Sequence, residues 1–377
     1  MQTSSPPYHL NSASNSWRSP DGLFSLEELA TVTRWFQKQA WYSPTPLHTL
    51  SALAHEIGIR ELLVKDESRR MGLDAFKILG VSYAVDQLIA NGGVPQGSIL
   101  ACATDGNHGR AVAHVARRHQ LTSRIFIHKE ASPARIAAIE AEGAQVIIVD
   151  GNYDDSVHEA TNEAERNGWV LISDTTVPGR EMVSNNIMAG YTMLMSEAAH
   201  QWTNLPDLIL VQVGVGGLAA AVMSWFLKVF GTVRPRIVSC EPETAACLLE
   251  SVRAGAPVTL KGSLATIMAG LRCGTVSAAA WPVLRDGLDA CVAVKDDECA
   301  QAVWKLAHPE SGDPVIVSGE SGACGVAALN AIMNRTDLRV LRDSLHLDRK
   351  SRVMVINTEG ATDPESYRSL AGISPGL

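Results

Sequence analysis

Lys77 lies in surroundings that are unusual for a lysine. It stands in the segment Met71–Gly80, where small and apolar side chains flank it on both sides. Burial disfavours the charged form of an amine, so this setting predicts a lowered pKa for Lys77. A neutral lysine amine is the nucleophile that Schiff-base chemistry with a carbonyl group requires. The alternative is a lysine whose ammonium reaches solvent from the start of a helix, and the segment alone does not decide between the two.

A second chemical signal is the turn Ala103–Gly109, which follows an apolar run. Its two glycines would let the backbone approach a ligand closely, and Thr104 and Asn107 offer uncharged hydrogen-bonding groups. Asp105 adds a carboxylate at the expected start of a helix, where negative charge is favourable. The same residues are also typical of a simple helix cap, and His108 is interpreted as a structural neighbour.

Three later segments repeat the pattern of an apolar run followed by polar or glycine residues: Ile172–Thr176, Val211–Ala219 and Val355–Gly360. The first places Asp174 after the run, where an isolated aspartate is usually a turn residue. In the second, backbone N–H groups of a glycine turn and the dipole of the next helix would hold a phosphate. In the third, the Thr358 hydroxyl would suit a neutral ring nitrogen.

The glycine turn has a competing interpretation. It fits the loose G-x-G-x-x-A fingerprint of dinucleotide-binding domains, with Glu241 after the next apolar run as a ribose partner. A nicotinamide-dependent dehydrogenase would use that fingerprint. It would leave Lys77 and the Ala103–Gly109 turn without a role, so a cofactor with a single phosphate is favoured.

The elements that must position these residues alternate between apolar runs and segments of helical period. Alternation of this kind predicts an α/β protein with mostly parallel sheets, whose ligands bind at the carboxyl ends of the strands. The predicted strands are Glu61–Lys65, Ser98–Ala103, Arg124–His128, Gln145–Val149, Trp169–Ile172, Leu208–Val213, Arg236–Cys240, Cys291–Val294 and Arg352–Ile356.

Length and composition exclude several classes of protein. The 377 residues exceed one minimal domain, and 46% hydrophobic with 19% charged residues is typical of a globular chain with a sizeable core. A net charge of −8 argues against nucleic-acid binding, and no apolar run approaches a membrane span. The first twenty residues lack a secretory pattern, and the seven cysteines show no metal-binding spacing. These features predict a cytoplasmic protein without a metal site.

Together, the segments resemble the fold-type II pyridoxal-phosphate enzymes, the relatives of threonine dehydratase and of the tryptophan synthase β-subunit. More closely, the chain is similar to the diaminopropionate ammonia-lyase family from about residue 25 to about residue 370. The most specific match is the Thr104–Gly106 turn, because other members of the superfamily usually have a small neutral residue at Asp105. The other matching segments are Tyr42–Leu47, Leu63–Ser68, Gly72–Lys77, Asn152–Asp155, Ala265–Leu271, Ser318–Ala323 and Thr358–Gly360.

The resemblance implies a cofactor, pyridoxal 5'-phosphate, and residues that hold it. Lys77, next to Phe76, would bind the cofactor covalently, and Asn107 would contact its phenolic oxygen. Thr358 would face its pyridine nitrogen, where a hydroxyl does not keep the nitrogen protonated as a carboxylate would. The phosphate would bind the turn formed by Gly214, Val215, Gly216, Gly217 and Leu218.

The implied reaction is the elimination of ammonia from D- or L-2,3-diaminopropionate, giving aminoacrylate that hydrolyses to pyruvate and a second ammonia. Asp105 would hold or protonate the β-amino group of the substrate. Asp174 would take the Cα proton from one face and Lys77 from the other, so that both isomers could react. Thr104 and the adjacent backbone, including Gly106, would bind the substrate carboxylate.

One segment departs from the family. Where the ammonia-lyases usually read D-T-A-W-E-G-Y, this chain has Asp174–Arg180, which loses an aromatic residue, a carboxylate and a tyrosine and gains an arginine. Arg180 could bind a second substrate carboxylate. The alternative function is therefore β-elimination, β-replacement or racemisation of another β-substituted, acidic amino acid. A paralogue that binds the cofactor without turnover is a further alternative, which Lys77 and Asp105 argue against.

The resemblance also implies an architecture: two open, twisted, mostly parallel sheets flanked by helices, with a small domain inserted in a large one. We expect residues 1–90 and 186–377 to form the large cofactor-binding domain, residues 1–20 to be a loose arm, and residues 91–185 to form a small mobile domain. The family forms homodimers and has cysteines at the positions of Cys247 and Cys273. The resemblance therefore also implies that this chain forms a homodimer and that these two cysteines pair.

Overall fold

The computed structural model describes residues 6–11, 22–104, 106–151, 153–177, 179–310 and 312–375. The strands are β1 Tyr8–Leu10, β2 Leu47–Thr49, β3 Glu61–Asp66, β4 Ile99–Thr104, β5 Thr122–His128, β6 Gln145–Val149, β7 Val170–Leu171, β8 Leu208–Gln212, β9 Arg236–Pro242, β10 Ala290–Val294 and β11 Arg352–Asn357. The helices are α1 Leu26–Gln37, α2 Ser51–Ile57, α3 Lys77–Ala90, α4 Asn107–Arg118, α5 Pro133–Ala141, α6 Tyr153–Asn167, α7 Glu181–Tyr191, α8 Met193–Ala199, α9 Gly217–Phe230, α10 Cys247–Ala254, α11 Trp281–Gly287, α12 Asp296–Ala307, α13 Glu320–Asn334, α14 Arg339–Ser344 and α15 Pro364–Ala371. Within these ranges no helix is long and apolar enough to cross a membrane.

The strands form two sheets. The large sheet has the order β1-β10-β9-β8-β11-β3-β2, and the small sheet has the order β6-β5-β4-β7. Every pairing is parallel except those of the two edge strands of the large sheet, β1 with β10 and β2 with β3. The predicted α/β fold with two mostly parallel sheets is therefore confirmed. All strands of the small sheet lie between residues 99 and 171, and the division into two domains with the predicted boundaries stays a prediction.

The large sheet is covered by helices on both of its faces. Helices α3, α7 and α9 contribute to a core on one face, and α2, α12 and α13 contribute to a core on the other. Because neither face meets water, strands such as β8 and β10 are buried at every position. This double burial is the reason why the central strands read as unbroken apolar runs in the sequence.

All nine predicted strands are present, with ends that differ by at most two residues. The two strands that sequence reasoning missed, β1 and β2, are three-residue edge strands with a polar central histidine, so they carry no apolar run. The expected loose arm is wrong for residues 6–11, because Tyr8–Leu10 pairs with Ala290–Val292 and Arg253 donates to the Pro6 carbonyl at 2.7 Å. The other residues of the arm lie outside the described ranges.

A buried ionic cluster fastens the end of β3 to helix α8. Lys65 Nζ lies 2.5 Å from Glu197 Oε2, and Arg70 Nη2 lies 2.7 Å from the same oxygen. Arg70 Nε also donates to Glu67 Oε2 at 2.6 Å, and all four side chains are at most 1% exposed. Although burial alone would raise it, Arg70 and Lys65 hold the pKa of Glu197 below its usual value. The cluster fixes the chain that leads from β3 to Lys77 at the start of α3.

We expect Glu197→Ala to destabilise the protein by about 3–5 kcal/mol, because it leaves two buried cations with Glu67 as their single carboxylate partner among the described residues. The measurement is the free energy of unfolding in denaturant. Asp343→Ala is the matched control: it removes a carboxylate that is 60% exposed and faces Arg339 and Arg342, and we expect less than about 1 kcal/mol. Equal losses in both variants would contradict a special role for the buried cluster.

Candidate active site

A cleft of about 860 Å³ lies between the two sheets, at the carboxyl ends of their parallel strands. Five segments that the sequence singled out meet there, because parallel strands of one sheet end at the same edge. The residues that line it are Phe76, Lys77, Ala103, Thr104, Gly106, Asn107, His108, Arg135, Tyr153, Asp174, Tyr191, Gln212, Gly214, Val215, Gly216, Gly217, Leu218, Gly270, Leu271, Cys273, Ser321, Thr358 and Glu359.

Lys77 and Asp174 form an ion pair in the cleft. Lys77 Nζ lies 2.5 Å from Asp174 Oδ2, with the two side chains 21% and 10% exposed. Burial alone would raise the pKa of Asp174, but the charge of Lys77, the neighbouring His108 and the hydrogen bond from Lys77 together outweigh it and lower the pKa to about 2. Burial would likewise lower the pKa of Lys77, but Asp174 raises it above its ordinary value. The lowered pKa predicted for Lys77 is therefore wrong in this state, because the sequence does not reveal a carboxylate 97 residues away.

His108 lies beside this pair as an uncharged group. Its Nε2 is 2.8 Å from the Ile172 carbonyl oxygen, and its Nδ1 is 3.9 Å from Asp174 Oδ2. Burial lowers the pKa of His108 more than Asp174 raises it. A neutral imidazole leaves Lys77 and Asp174 as the ionised pair at this point of the cleft.

The glycine turn after β8 has the properties of a phosphate-binding loop. Gly216 adopts a φ of +98°, which favours glycine, and it precedes the first residue of α9. A Cβ atom on Gly214 would lie 3.1 Å from both the Cys273 sulfur and the Gly270 carbonyl oxygen. A side chain at Gly214 or Gly216 is therefore unfavourable, and the amide groups at the amino terminus of α9 lie at the cleft, where they can bind an anion.

The Thr358 hydroxyl has an orientation that suits a ring nitrogen. Gln212 Nε2 donates to Thr358 Oγ1 at 3.2 Å, and it also donates to the Ile356 carbonyl at 2.9 Å. Because Oγ1 already accepts a hydrogen bond, its own hydrogen remains available to an acceptor in the cleft. Together with the lysine and the glycine turn, these groups fit pyridoxal 5'-phosphate: an amine for its aldehyde, amides for its phosphate and a hydroxyl for its ring nitrogen.

The turn after β4 is held by its own side chains. Thr104 Oγ1 accepts hydrogen bonds from the Gly106 amide at 2.8 Å and from the Gly109 amide at 2.9 Å. Asn107, the first residue of α4, donates through Nδ2 to Glu359 Oε2 on the opposite side of the cleft. The turn therefore presents Thr104, Gly106 and Asn107 to the cleft in a fixed arrangement.

Two predicted site residues are not placed in the cleft. Asp105 lies outside the described residues. Arg180 precedes α7, its amide donates to the Val177 carbonyl at 2.9 Å, and it is not among the cleft-lining residues of the described chain. Its binding of an acidic substrate stays a prediction.

Sequence reasoning missed other residues that line the cleft, notably Arg135, Tyr191, Gln212 and Glu359. Glu359 was adjacent to Thr358 in a matching segment and could have been identified there. The remaining three are on strands or helices whose pattern is that of ordinary core or surface positions. Cys273 also lines the cleft, and Cys247 Sγ lies 3.6 Å from the Gly214 carbonyl oxygen, so both cysteines flank the glycine turn.

Comparisons with known proteins agree with this site. Residues 39–359 match the family described as pyridoxal-phosphate dependent enzyme. The chain is 36% identical over 366 residues to diaminopropionate ammonia-lyase of Escherichia coli K12, covering 92% of each chain. It is 37% identical to the enzyme of Salmonella typhimurium, covering 90% of each. A solved structure of the Escherichia coli ammonia lyase with an aminoacrylate-PLP azomethine reaction intermediate matches with a TM-score of 0.90 and 35% identity, covering 97% of this chain and 96% of that one.

We expect Lys77→Met to destabilise the cofactor-free protein in a pH-dependent way. The lowered pKa of Asp174 means that the ion pair stabilises the fold above the ordinary value of 3.8 and that this contribution is lost as the pH falls towards 2. The difference in unfolding free energy between wild type and variant should therefore be about 2–3 kcal/mol near neutral pH and should shrink in acid. Lys129→Met, which breaks an exposed pair with Asp150, is the control and should show a much smaller trend, because solvent screens an exposed pair. A difference for Lys77→Met that does not change with pH would contradict the ion pair.

Proposed function

The chain belongs to the diaminopropionate ammonia-lyase family of pyridoxal-phosphate dependent enzymes, and from this membership we propose that it eliminates ammonia from 2,3-diaminopropionate. It is a pyridoxal-phosphate dependent carbon–nitrogen lyase. The observation that carries the proposed substrate is the Lys77–Asp174 pair in a cleft that also contains the Thr104–Asn107 turn, in a chain 36% identical to a diaminopropionate ammonia-lyase over 92% of its length.

The residues proposed to hold the cofactor are those whose groups fit its parts. Lys77 would bind it covalently beside Phe76, and Thr358 and Asn107 would hydrogen-bond its ring. Its phosphate would bind the amides of Gly214–Leu218. When bound, the cofactor supplies the electron sink that lets an amino acid lose its Cα proton. The side chains of the protein would transfer the protons, and the closed cleft would exclude water.

Lys77 and Asp174 are proposed to handle the Cα proton. Their functional atoms lie 2.5 Å apart, so a proton accepted by one can be shared with the other. The Cα–H and Cβ–N bonds break and a C=C bond forms, so the products are aminoacrylate and one ammonia. Water then converts the aminoacrylate to pyruvate and a second ammonia. Asp105, outside the described residues, is proposed to contact the β-amino group, and Thr104 with the Gly106 amide to bind the α-carboxylate.

The position of the cleft supports closure around the substrate. Residues 91–185 are proposed to act as a small mobile domain whose approach to the rest of the chain excludes water. We propose that the enzyme works in the cytoplasm as a homodimer on an amino-acid substrate. Sedimentation of the purified protein at several concentrations tests the dimer directly.

We expect the purified protein to release pyruvate from D- or L-2,3-diaminopropionate faster than from serine or threonine. Asp174→Asn should lower kcat by about 10²–10⁴-fold for at least one isomer, because an amide cannot accept the Cα proton. Pyruvate formation coupled to a reporter enzyme measures both variants. Asp150→Asn, in which the carboxylate is 88% exposed, is the control and should leave the rate unchanged. No release from either isomer would refute the proposed substrate, while full activity of Asp174→Asn would refute only the role of Asp174.

We expect Arg180→Ala to change kcat/KM for 2,3-diaminopropionate by less than about twofold, because Arg180 does not line the cleft. An arginine that binds a substrate carboxylate by a charge-assisted bond would be worth about tenfold or more. The same variant tested with acidic β-substituted amino acids covers the alternative substrate class. A loss of tenfold or more with any of these substrates would place Arg180 at the active site.

A further inference from the structure

Glu359 is a buried carboxylate in the cleft to which the proposed reaction gives no role. It is 2% exposed, and it follows Thr358 at the end of β11. Its partners are hydrogen-bond donors: Ser321 N at 3.1 Å to Oε1, Thr362 Oγ1 at 3.4 Å to Oε2, and Asn107 Nδ2 to Oε2. Two of these donors belong to the large-sheet side of the cleft, and Asn107 belongs to the small-sheet side.

The large-sheet side holds Glu359 rigidly. The Phe76 amide donates to the Thr358 carbonyl at 3.2 Å, and the Gly360 amide donates to the Asp74 carbonyl at 2.9 Å. A Cβ atom on Gly319 would lie 2.9 Å from Glu359 Oε1, so the carboxylate packs directly on a glycine. The side chain therefore has a fixed position beside the segment that leads to Lys77.

A second contact, besides that of Asn107 with Glu359, joins the two sides of the cleft. Arg135, on helix α5 of the small-sheet side, has its Nη2 atom 3.9 Å from Glu320 Oε2 at the start of α13. The Arg135 side chain is 10% exposed, and its Cδ would lie 3.1 Å from a Cβ on Gly106. The guanidinium thus reaches across the cleft over the turn that contains Gly106, next to the Asn107–Glu359 contact.

We propose that Glu359 is a positioning residue that holds Asn107, and with it the amino-terminal turn of helix α4, against the large sheet. The carboxylate needs donors because burial without them is costly, and Asn107 provides one only when the cleft is closed. Closure therefore satisfies Glu359, and Glu359 in turn fixes the side chain proposed to contact the cofactor ring. The consequence for catalysis rests on the proposed function, whereas the contact itself does not.

The test is hydrogen exchange of the full-length protein, followed by mass spectrometry with pyridoxal phosphate bound and again after its removal. In Glu359→Ala the first turns of α4 should exchange about tenfold faster in both states, while amides of the large sheet keep their rates. Glu359→Gln retains an acceptor oxygen for Asn107 and should recover part of the protection. The affinity for pyridoxal phosphate should fall about tenfold in Glu359→Ala.

Two further variants test the same contact if Glu359→Ala folds poorly. Asn107→Ala should accelerate exchange in α4 as Glu359→Ala does, and the double variant should show no further acceleration, because both remove the same contact. Thr362→Val removes a donor to the same carboxylate from the large-sheet side and should leave α4 unchanged. Acceleration spread evenly over the chain, an equal effect of Thr362→Val, or additive effects of the two alanine variants would overturn the proposal. Because exchange needs no substrate, these outcomes are independent of pyruvate release.

Discussion

Two opposite charges in one cleft, those of Lys77 and Asp174, constrain the rest of the structure. Burial disfavours the charged form of both groups, and each favours the charged form of the other, which lies 2.5 Å away. Lys77 begins helix α3, which packs on the large sheet, whereas Asp174 follows the last strand of the small sheet. The pair is therefore intact only when the two sheets have the correct relative position. This requirement explains why so many polar contacts cross the cleft.

The scaffold around the pair is arranged so that few other groups compete for its protons. His108 is kept uncharged by burial, and Thr358, the first residue after β11, presents a hydroxyl rather than an acid. The charges of Lys65, Arg70 and Glu197 lie in the buried ionic cluster rather than in the cleft. There they hold β3 in place and do not contact Lys77 or Asp174. This arrangement supports the proposal that Lys77 and Asp174 carry the substrate proton.

The sequence predicts much of this arrangement and misses the rest for physical reasons. The central strands were recognisable because burial on both faces demands unbroken apolar runs, while β1 and β2, short and polar at the edge of the sheet, give no such signal. The segments at the strand ends could be identified because glycines and polar residues interrupt those runs. The raised pKa of Lys77 and the cleft positions of Arg135 and Gln212 could not, since they depend on contacts with residues distant in the chain. Arg180 shows the converse: an unusual residue in the segment that departs from the family does not line the described cleft.

The charges of the cleft also bear on which amino acid it favours. Lys77 is balanced by Asp174, and Arg135 approaches Glu320, whereas Glu359 is satisfied by uncharged donors. Together with Glu320, which pairs with Arg135 from outside the cleft lining, these residues comprise three carboxylates and two cations. A diamino acid with both amines protonated carries one positive charge overall, while serine and threonine carry none. Electrostatic complementarity consequently favours the diamino acid through the field of these groups, in addition to the contact proposed between Asp105 and the β-amino group. On this argument, selectivity against serine depends on the charge of Glu359 as well as on the residues that touch the substrate.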